Sequence, residues 1–299
     1  MRKGFLFSLF SIAFIVIVIG RVVIVAQAPV RGTWKADTRK VDSGKIHISF
    51  ARAAENGRGR NQFGSAFDLS ELDGLTANDV QNGGVAFRLA REAGTIECEG
   101  SFSNGSGSGT FVFTPNMAFA DAMKTRGFDL TLISKNGTDE TVDRMFAATT
   151  LNITTAFADG LLSANFARLD VDDLFKASIF KITPDFMAEM KASGFPNLGM
   201  EELVKARIFK IDADYLRRLK EMGFDGLDFE SVVKFRIFKI TPEYLTSLRS
   251  EGFPNLSSED VVKFSIFKID PEFIRAARAE DPNITVEQLV QRRIGFRRH

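Results

Sequence analysis

Two hydrophobic periods divide the chain. Between residues 32 and 114 apolar and polar positions alternate, as in Ile46, Ile48 and Phe50, in Val85, Phe87 and Leu89, and in Ile96 and Cys98. A period of two puts one set of side chains on one face of a strand. Glu92-Ala93-Gly94-Thr95 reads as a turn between two such strands. Ser103–Gly109, opened by Asn104-Gly105, reads as a second turn, leading into Thr110–Phe113. Phe63–Leu75 holds a further strand and a loop. This pattern predicts a small antiparallel domain of about six strands, packed on one face.

From Leu151 onward the period is 29 residues. Ile-Phe-Lys begins at Ile179, Ile208, Ile237 and Ile266, and Gly-Phe at Gly194, Gly223 and Gly252. Each unit reads as two short helices. Thr183 caps the first and Pro184 fills its first position, where a missing N–H costs nothing. Gly194 ends it, since glycine takes the left-handed turn without penalty. Ser257 with Asp260, and Thr285 with Gln288, read as capping boxes for second helices. Leu203, Val204 and Ile208 are expected to form the buried stripe of a second helix. One unit is too small to bury its own apolar face, so neighbours must stack. The expected fold is α+β and multidomain, a small antiparallel β domain followed by an α-solenoid of about 29-residue helix hairpins. The divisions are 32–114 for the β domain, 115–150 for a transition and N-terminal cap, and 151–299 for about five α-hairpin repeats. Within the transition, Pro115–Gly127 and Asp139–Ala148 read as helices flanking the insertion Ser134–Thr138. The last unit is one residue short at Pro282-Asn283-Ile284, and the chain ends in a basic tail with Arg292, Arg293, Arg297, Arg298 and His299.

Residues 1–28 read as a signal peptide or an uncleaved N-terminal membrane anchor. Arg2 and Lys3 precede an apolar run, and Ala26-Gln27-Ala28 is a small-x-small cleavage pattern. The expected location is extracytoplasmic, periplasmic or secreted, touching the inner membrane only through this segment if it is uncleaved.

Composition narrows the chemistry. The net charge of +1 gives no field for nucleic acid. The single cysteine, Cys98, rules out an intrachain disulfide and is expected to be a buried thiol. The two histidines, His47 and His299, stand far apart, so neither a zinc hydrolase nor a Ser/His/Asp site can be assembled. The carboxylates Asp170, Asp172 and Asp173, and Glu201 with Glu202, fit helix N-termini better than calcium. No catalytic, metal-binding or cofactor-binding residue is assigned. A hydrolase working through Asp68, Glu71 and Asp73 is a minor alternative. The remaining candidate is a basic ridge. Lys176, Lys205, Lys234 and Lys263 form one column, Lys181, Lys210, Lys239 and Lys268 a second, and Arg207 and Arg236 lie between. Lysines at the C-terminal ends of helices also complement the dipole, and Ile182–Lys210 balances four acids with four bases.

Thr183-Pro184-Asp185-Phe186, Thr241-Pro242-Glu243-Tyr244 and Asp270-Pro271-Glu272-Phe273, each followed by Gly-Phe or Pro-Asn and a leucine or isoleucine, resemble the T-P-E-F…G-F…L repeats of exported bacterial proteins. Similar repeats are appended to antibiotic-sensor-type membrane metallopeptidases. Phe87–Gly94, Glu99–Phe102 and Gly109–Asn116 resemble the β segment that accompanies them. The peptidase part, with its zinc motif, is absent from this sequence. The resemblance implies an extracytoplasmic bacterial accessory or sensor module. The expected function is a non-enzymatic exported binding or scaffold protein that uses its helical array for protein–protein interaction, with another envelope protein as partner. The alternative is an envelope sensor or regulatory module acting with a membrane peptidase or kinase.

Overall fold

The alternating stretches pair into one antiparallel sheet. The computed structural model describes residues 30–39, 44–53, 60–133, 139–164 and 168–295. Residues 1–28, which the sequence reads as a signal peptide or anchor, the insertion Ser134–Thr138, and Arg297, Arg298 and His299 lie outside them. Among the described residues the strands are β1 (Val30–Asp37), β2 (Lys45–Ala53), β3 (Arg60–Asp68), β4 (Asn82–Arg91), β5 (Gly94–Ser103) and β6 (Ser106–Pro115). Their order is β3-β2-β1-β6-β5-β4. Ile46, Ile48, Phe50, Phe87, Leu89, Ile96, Cys98, Phe111 and Phe113 are buried on a single face. That face curls over itself. The Trp34 ring of β1 meets Phe87 of β4 edge-on at 5.3 Å, although two strands lie between them. The segment after β3 closes the β4 edge through paired hydrogen bonds between Asp73 and Arg88.

The glycine-rich run is mostly strand. The turn is Asn104-Gly105 alone, with φ of 50° and 76°, and β6 begins at Ser106. Gly109 faces Gly100 across the ladder, and the Trp34 indole lies against that pair, donating to the Glu99 carbonyl at 3.2 Å. Glycine is needed here because a ring and a backbone occupy the space of a side chain.

Twelve helices follow among the described residues. They are α1 (Met117–Thr125), α2 (Thr141–Thr150), α3 (Thr155–Ser163), α4 (Val171–Ile179), α5 (Pro184–Ala192) and α6 (Met200–Ile208), then α7 (Ala213–Glu221), α8 (Phe229–Ile237), α9 (Pro242–Ser250), α10 (Ser258–Ile266), α11 (Pro271–Glu280) and α12 (Val286–Arg293). The caps carry their chemistry as the sequence implies. The Thr183 hydroxyl accepts from the Phe186 N–H, and Asp170 and Asp173 cap each other's backbone at the start of α4. Gly194, Gly223 and Gly252 close α5, α7 and α9 with φ between 85° and 108°. Gly223→Val is therefore expected to lower stability by more than about 1 kcal/mol, since a β-branched residue resists that conformation. A thermal melt checks this, and an unchanged curve would contradict the cap.

Helix α4 packs on α6, α6 on α8, α8 on α10 and α10 on α12, while α1 packs on α3 and α3 on α5. Ile182, Ile211, Ile240 and Ile269 recur as buried anchors at the helix junctions. One cluster of buried apolar side chains runs from Trp34 in the sheet to Val262 in α10, and a smaller one closes the C-terminal end. Sheet and helices meet at α2, where Phe146 packs against Phe50, Phe63, Phe111 and Phe113 with ring centroids 5.1–5.6 Å away. Two neighbours on the β4–β5 turn complete the joint. Arg91 donates to the last carbonyls of α2, at Thr149 and Thr150, and Glu92 accepts from the first N–H of α3, at Thr155. Each charge sits at the dipole end that favours it.

Candidate functional site

The even helices α4, α6, α8 and α10 end one turn short of a buried isoleucine. The chain reaches it through a left-handed residue. At Lys210 φ is 53°, the Lys210 N–H donates to Arg207 O, and the Ile211 N–H donates to Ala206 O at 2.8 Å. Lys181, Lys239 and Lys268 repeat this geometry, with φ of 52–54°. Helices α5, α7 and α9 make their left-handed turn with glycine. An L-residue in this region costs roughly 1–2 kcal/mol. The lysine side chains are thus kept where a glycine would fit the backbone better, and all four are exposed.

Ile208 is the principal correction to the sequence reading. It does not belong to the buried stripe of α6, which is Met200, Leu203, Val204 and Ala206. It is 54 % exposed, and its counterparts Ile179, Ile237 and Ile266 are 56 %, 48 % and 47 % exposed. As the last helical residue, Ile208 points away from the core, and Ile211, swung inward by the turn at Lys210, takes the apolar place. Ile294, beyond α12, is 47 % exposed and extends the column. Lys205 and Ile208 are three apart on one helix and share a face. Each of these isoleucines on α4–α10 therefore stands between a lysine on its own helix and the left-handed lysine two residues on.

The ridge residues divide into three roles. Lys176 pairs with Glu201, and Lys205 pairs with Glu230 at 2.6 Å, each reaching the first turn of the next even helix. Those hydrogen bonds hold both ammonium groups above the ordinary lysine range. Lys263 lies 3.7 Å from Asp260 on its own helix, and Lys234 is exposed. Arg207 and Arg236 are turned into the joints between units. The Arg207 guanidinium lies 3.7 Å above the Phe186 ring and donates to the Lys181 carbonyl at 2.7 Å. Arg236 does the same over Tyr215, at 3.7 Å, with the Lys210 carbonyl as acceptor. Sequence spacing aligned these arginines with the lysines but could not tell that they fold inward.

The outer face of the sheet carries a groove of about 570 Å³, lined among others by Arg31, Asp73, Arg88, Glu97, Glu99 and Thr110. Its charges have both signs, and Arg88 is paired with Asp73 at 2.9 Å. The carboxylates weighed for hydrolysis are all engaged. Glu71 binds Arg91 and the Asp68 N–H, Asp73 binds Arg88, and Asp68 faces Lys45 at 3.8 Å. His47 is partly buried on the outer face, with its ring beside Gly64. Among the described residues no group of three or more His, Cys, Asp or Glu side chains is arranged to hold a metal ion. No described helix is long and apolar enough to cross a membrane.

Cys98 is 2 % exposed, and burial pushes its thiol up to about 12. A thiol reagent at pH 8 is expected to leave the native protein unmodified and to react once denaturant unfolds it, because only the thiolate attacks. Fast labelling of the folded protein would contradict this burial.

No protein-family model matches the chain, and no curated protein matches it in a sequence search.

Proposed function

We propose that this is a non-enzymatic, exported binding protein. Its helices form an α-solenoid of about 29-residue helix pairs, and the even-helix edge meets another envelope protein. The observation that carries the reading is the column of half-exposed isoleucines, Ile179, Ile208, Ile237 and Ile266 set among lysines and Ile294 beside Arg292 and Arg293. Single exposed apolar residues are ordinary on a protein surface. Five in one register are a surface of the kind interfaces use. The flanking cations select a partner that offers carboxylates beside apolar side chains. The left-handed lysines support the same reading, since backbone strain is kept to present them.

A photo-crosslinking residue at position 237, introduced into the protein in its own cell envelope, tests this. A discrete adduct is expected that is lost with Ile208→Asp and Ile266→Asp. It should be weakened by Lys210→Gly, which suits the local backbone and leaves the fold intact. Absence of an adduct, or the same adduct from position 217 on α7, would overturn the reading.

The alternative, a sensor module acting with a membrane peptidase or kinase, has one observation in its favour. Arg91 and Glu92 grip the facing ends of α2 and α3 from a single turn of the sheet, so a shift of that turn would move the helices.

A further inference from the structure

Adjacent helix pairs are joined by a side chain that reaches back to the preceding turn. At two successive joints it is arginine: Arg207 over Phe186 with the Lys181 carbonyl, and Arg236 over Tyr215 with the Lys210 carbonyl. At the C-terminal joint Arg293 lies 4.7 Å above Phe273 and donates to the Phe267 carbonyl at 3.1 Å. The first joint and the one between Arg236 and Arg293 differ: at the first, the Ser178 hydroxyl donates to the Leu151 carbonyl at 3.1 Å. Position 265, which follows Arg236 by one period of 29, is serine. The Ser265 hydroxyl donates to the Phe238 carbonyl at 2.8 Å and is too short to cover the neighbouring ring. That ring is Tyr244, which follows Tyr215 by the same period. Its hydroxyl donates to the Ile269 carbonyl at 3.0 Å, which fixes the ring in place. What remains is a notch of about 230 Å³ lined by Lys239, Tyr244, Ser265, Lys268, Ile269 and Asp270.

The lining is that of a guanidinium site. Tyr244, Asp270 and Lys239 all line it, and the Lys239 carbonyl is, by the 29-residue period, the counterpart of the carbonyls that accept from Arg207 and Arg236. Lys239 and Lys268 flank the notch, and this does not exclude a cation. Lys181 and Lys210 flank Arg207 in the same way, and Lys210 and Lys239 flank Arg236. The chain thus shows twice what this notch accepts. We propose that it receives one arginine side chain of the protein partner, stacked on Tyr244, donating to the Lys239 carbonyl and facing Asp270. This rests on the even-helix edge being a binding surface, and it adds one basic anchor to a partner that is otherwise acidic and apolar.

The chain has two tyrosines, so ring-labelled tyrosine gives two sets of NMR signals, and Tyr215, already covered by Arg236, serves as the internal control. Titration with butylguanidinium should shift the Tyr244 signals saturably and leave those of Tyr215 in place. Butylammonium should shift them less at equal concentration, since it cannot stack. Ser265→Arg should move the Tyr244 signals without ligand and abolish the response. Asp270→Asn, which keeps a capping side chain, should weaken binding severalfold. An unmoved Tyr244, equal shifts at both tyrosines, equal response to the ammonium, or binding that survives Ser265→Arg would each overturn the assignment. No partner takes part in this titration, so its failure is distinguishable from a failure of the crosslinking at position 237.

Discussion

Phe146→Ala is expected to destabilise the protein by about 3–5 kcal/mol, the usual range for removing a fully enclosed phenylalanine. The reason is its position. Phe146 is 4 % exposed and is the one side chain of α2 that touches four phenylalanines of the sheet. Alanine leaves a cavity that those rings, fixed on strands β2, β3 and β6, cannot collapse to fill. A domain has only about 5–15 kcal/mol of stability in total, so this change consumes a large part of it. The readouts are separable. The single tryptophan, Trp34, is buried in the sheet and reports on it by fluorescence, while far-ultraviolet circular dichroism reports chiefly on the helices. Denaturant curves from the two probes should coincide in the parent and shift to lower denaturant in the variant. A loss under about 1 kcal/mol would mean that α2 is not the joint described.

Gly109→Ala is expected to cost about 3 kcal/mol, the upper end of the range for overpacking. A Cβ on Gly109 would fall on the Glu99 carbonyl oxygen and crowd the Cα of Gly100, both backbone atoms of β5. Flexible side chains can move aside, but a paired strand can yield only by opening the ladder. The Trp34 indole, which donates to that same carbonyl, should become more exposed, with a red shift of its emission. Gly127→Ala is the control. No atom lies near its missing Cβ, so it carries only the penalty of its left-handed φ of 91°. Equal losses at the two positions would contradict the account of the glycine pair.

The strands and helices were legible where one local rule acted alone. Alternation marked β2, β4 and β5, Thr-Pro and Asp-Pro marked helix starts, and glycine marked the ends of α5, α7 and α9. Reading failed where a residue type has two uses. Ser103–Gly109 looked like a long turn because glycine permits turns, but Gly107 and Gly109 are there for clearance beneath Phe102 and against β5. Ile208 looked like core because isoleucine usually is, and its spacing from Val204 fits a buried stripe. Only the left-handed turn at Lys210 shows that Ile211 takes the inner place. The repeat register identified equivalent positions without saying which way they face. For the same reason Arg207 and Arg236 could not be told from the exposed lysines. The notch at Ser265 becomes legible only after the arginine joints are seen, as a serine between two joints that carry arginine.

The central claim is that successive helix pairs are interchangeable units sharing one continuous core, and an in-register deletion tests it most directly. Removing residues 211–239 takes out one period and rejoins Lys210 to Ile240, which has the same burial and follows the same kind of turn as Ile211. The account predicts a folded protein with a cooperative melt and correspondingly less helical signal. A deletion of 205–231, two residues short of the period and joining the first half of α6 to the last half of α8, should melt without cooperativity, because two residues turn the second half of the fused helix by about 200° and carry its apolar face away from the core. If the in-register deletion unfolds the helices as completely as the out-of-register one, the pairs are not equivalent units and the account is wrong.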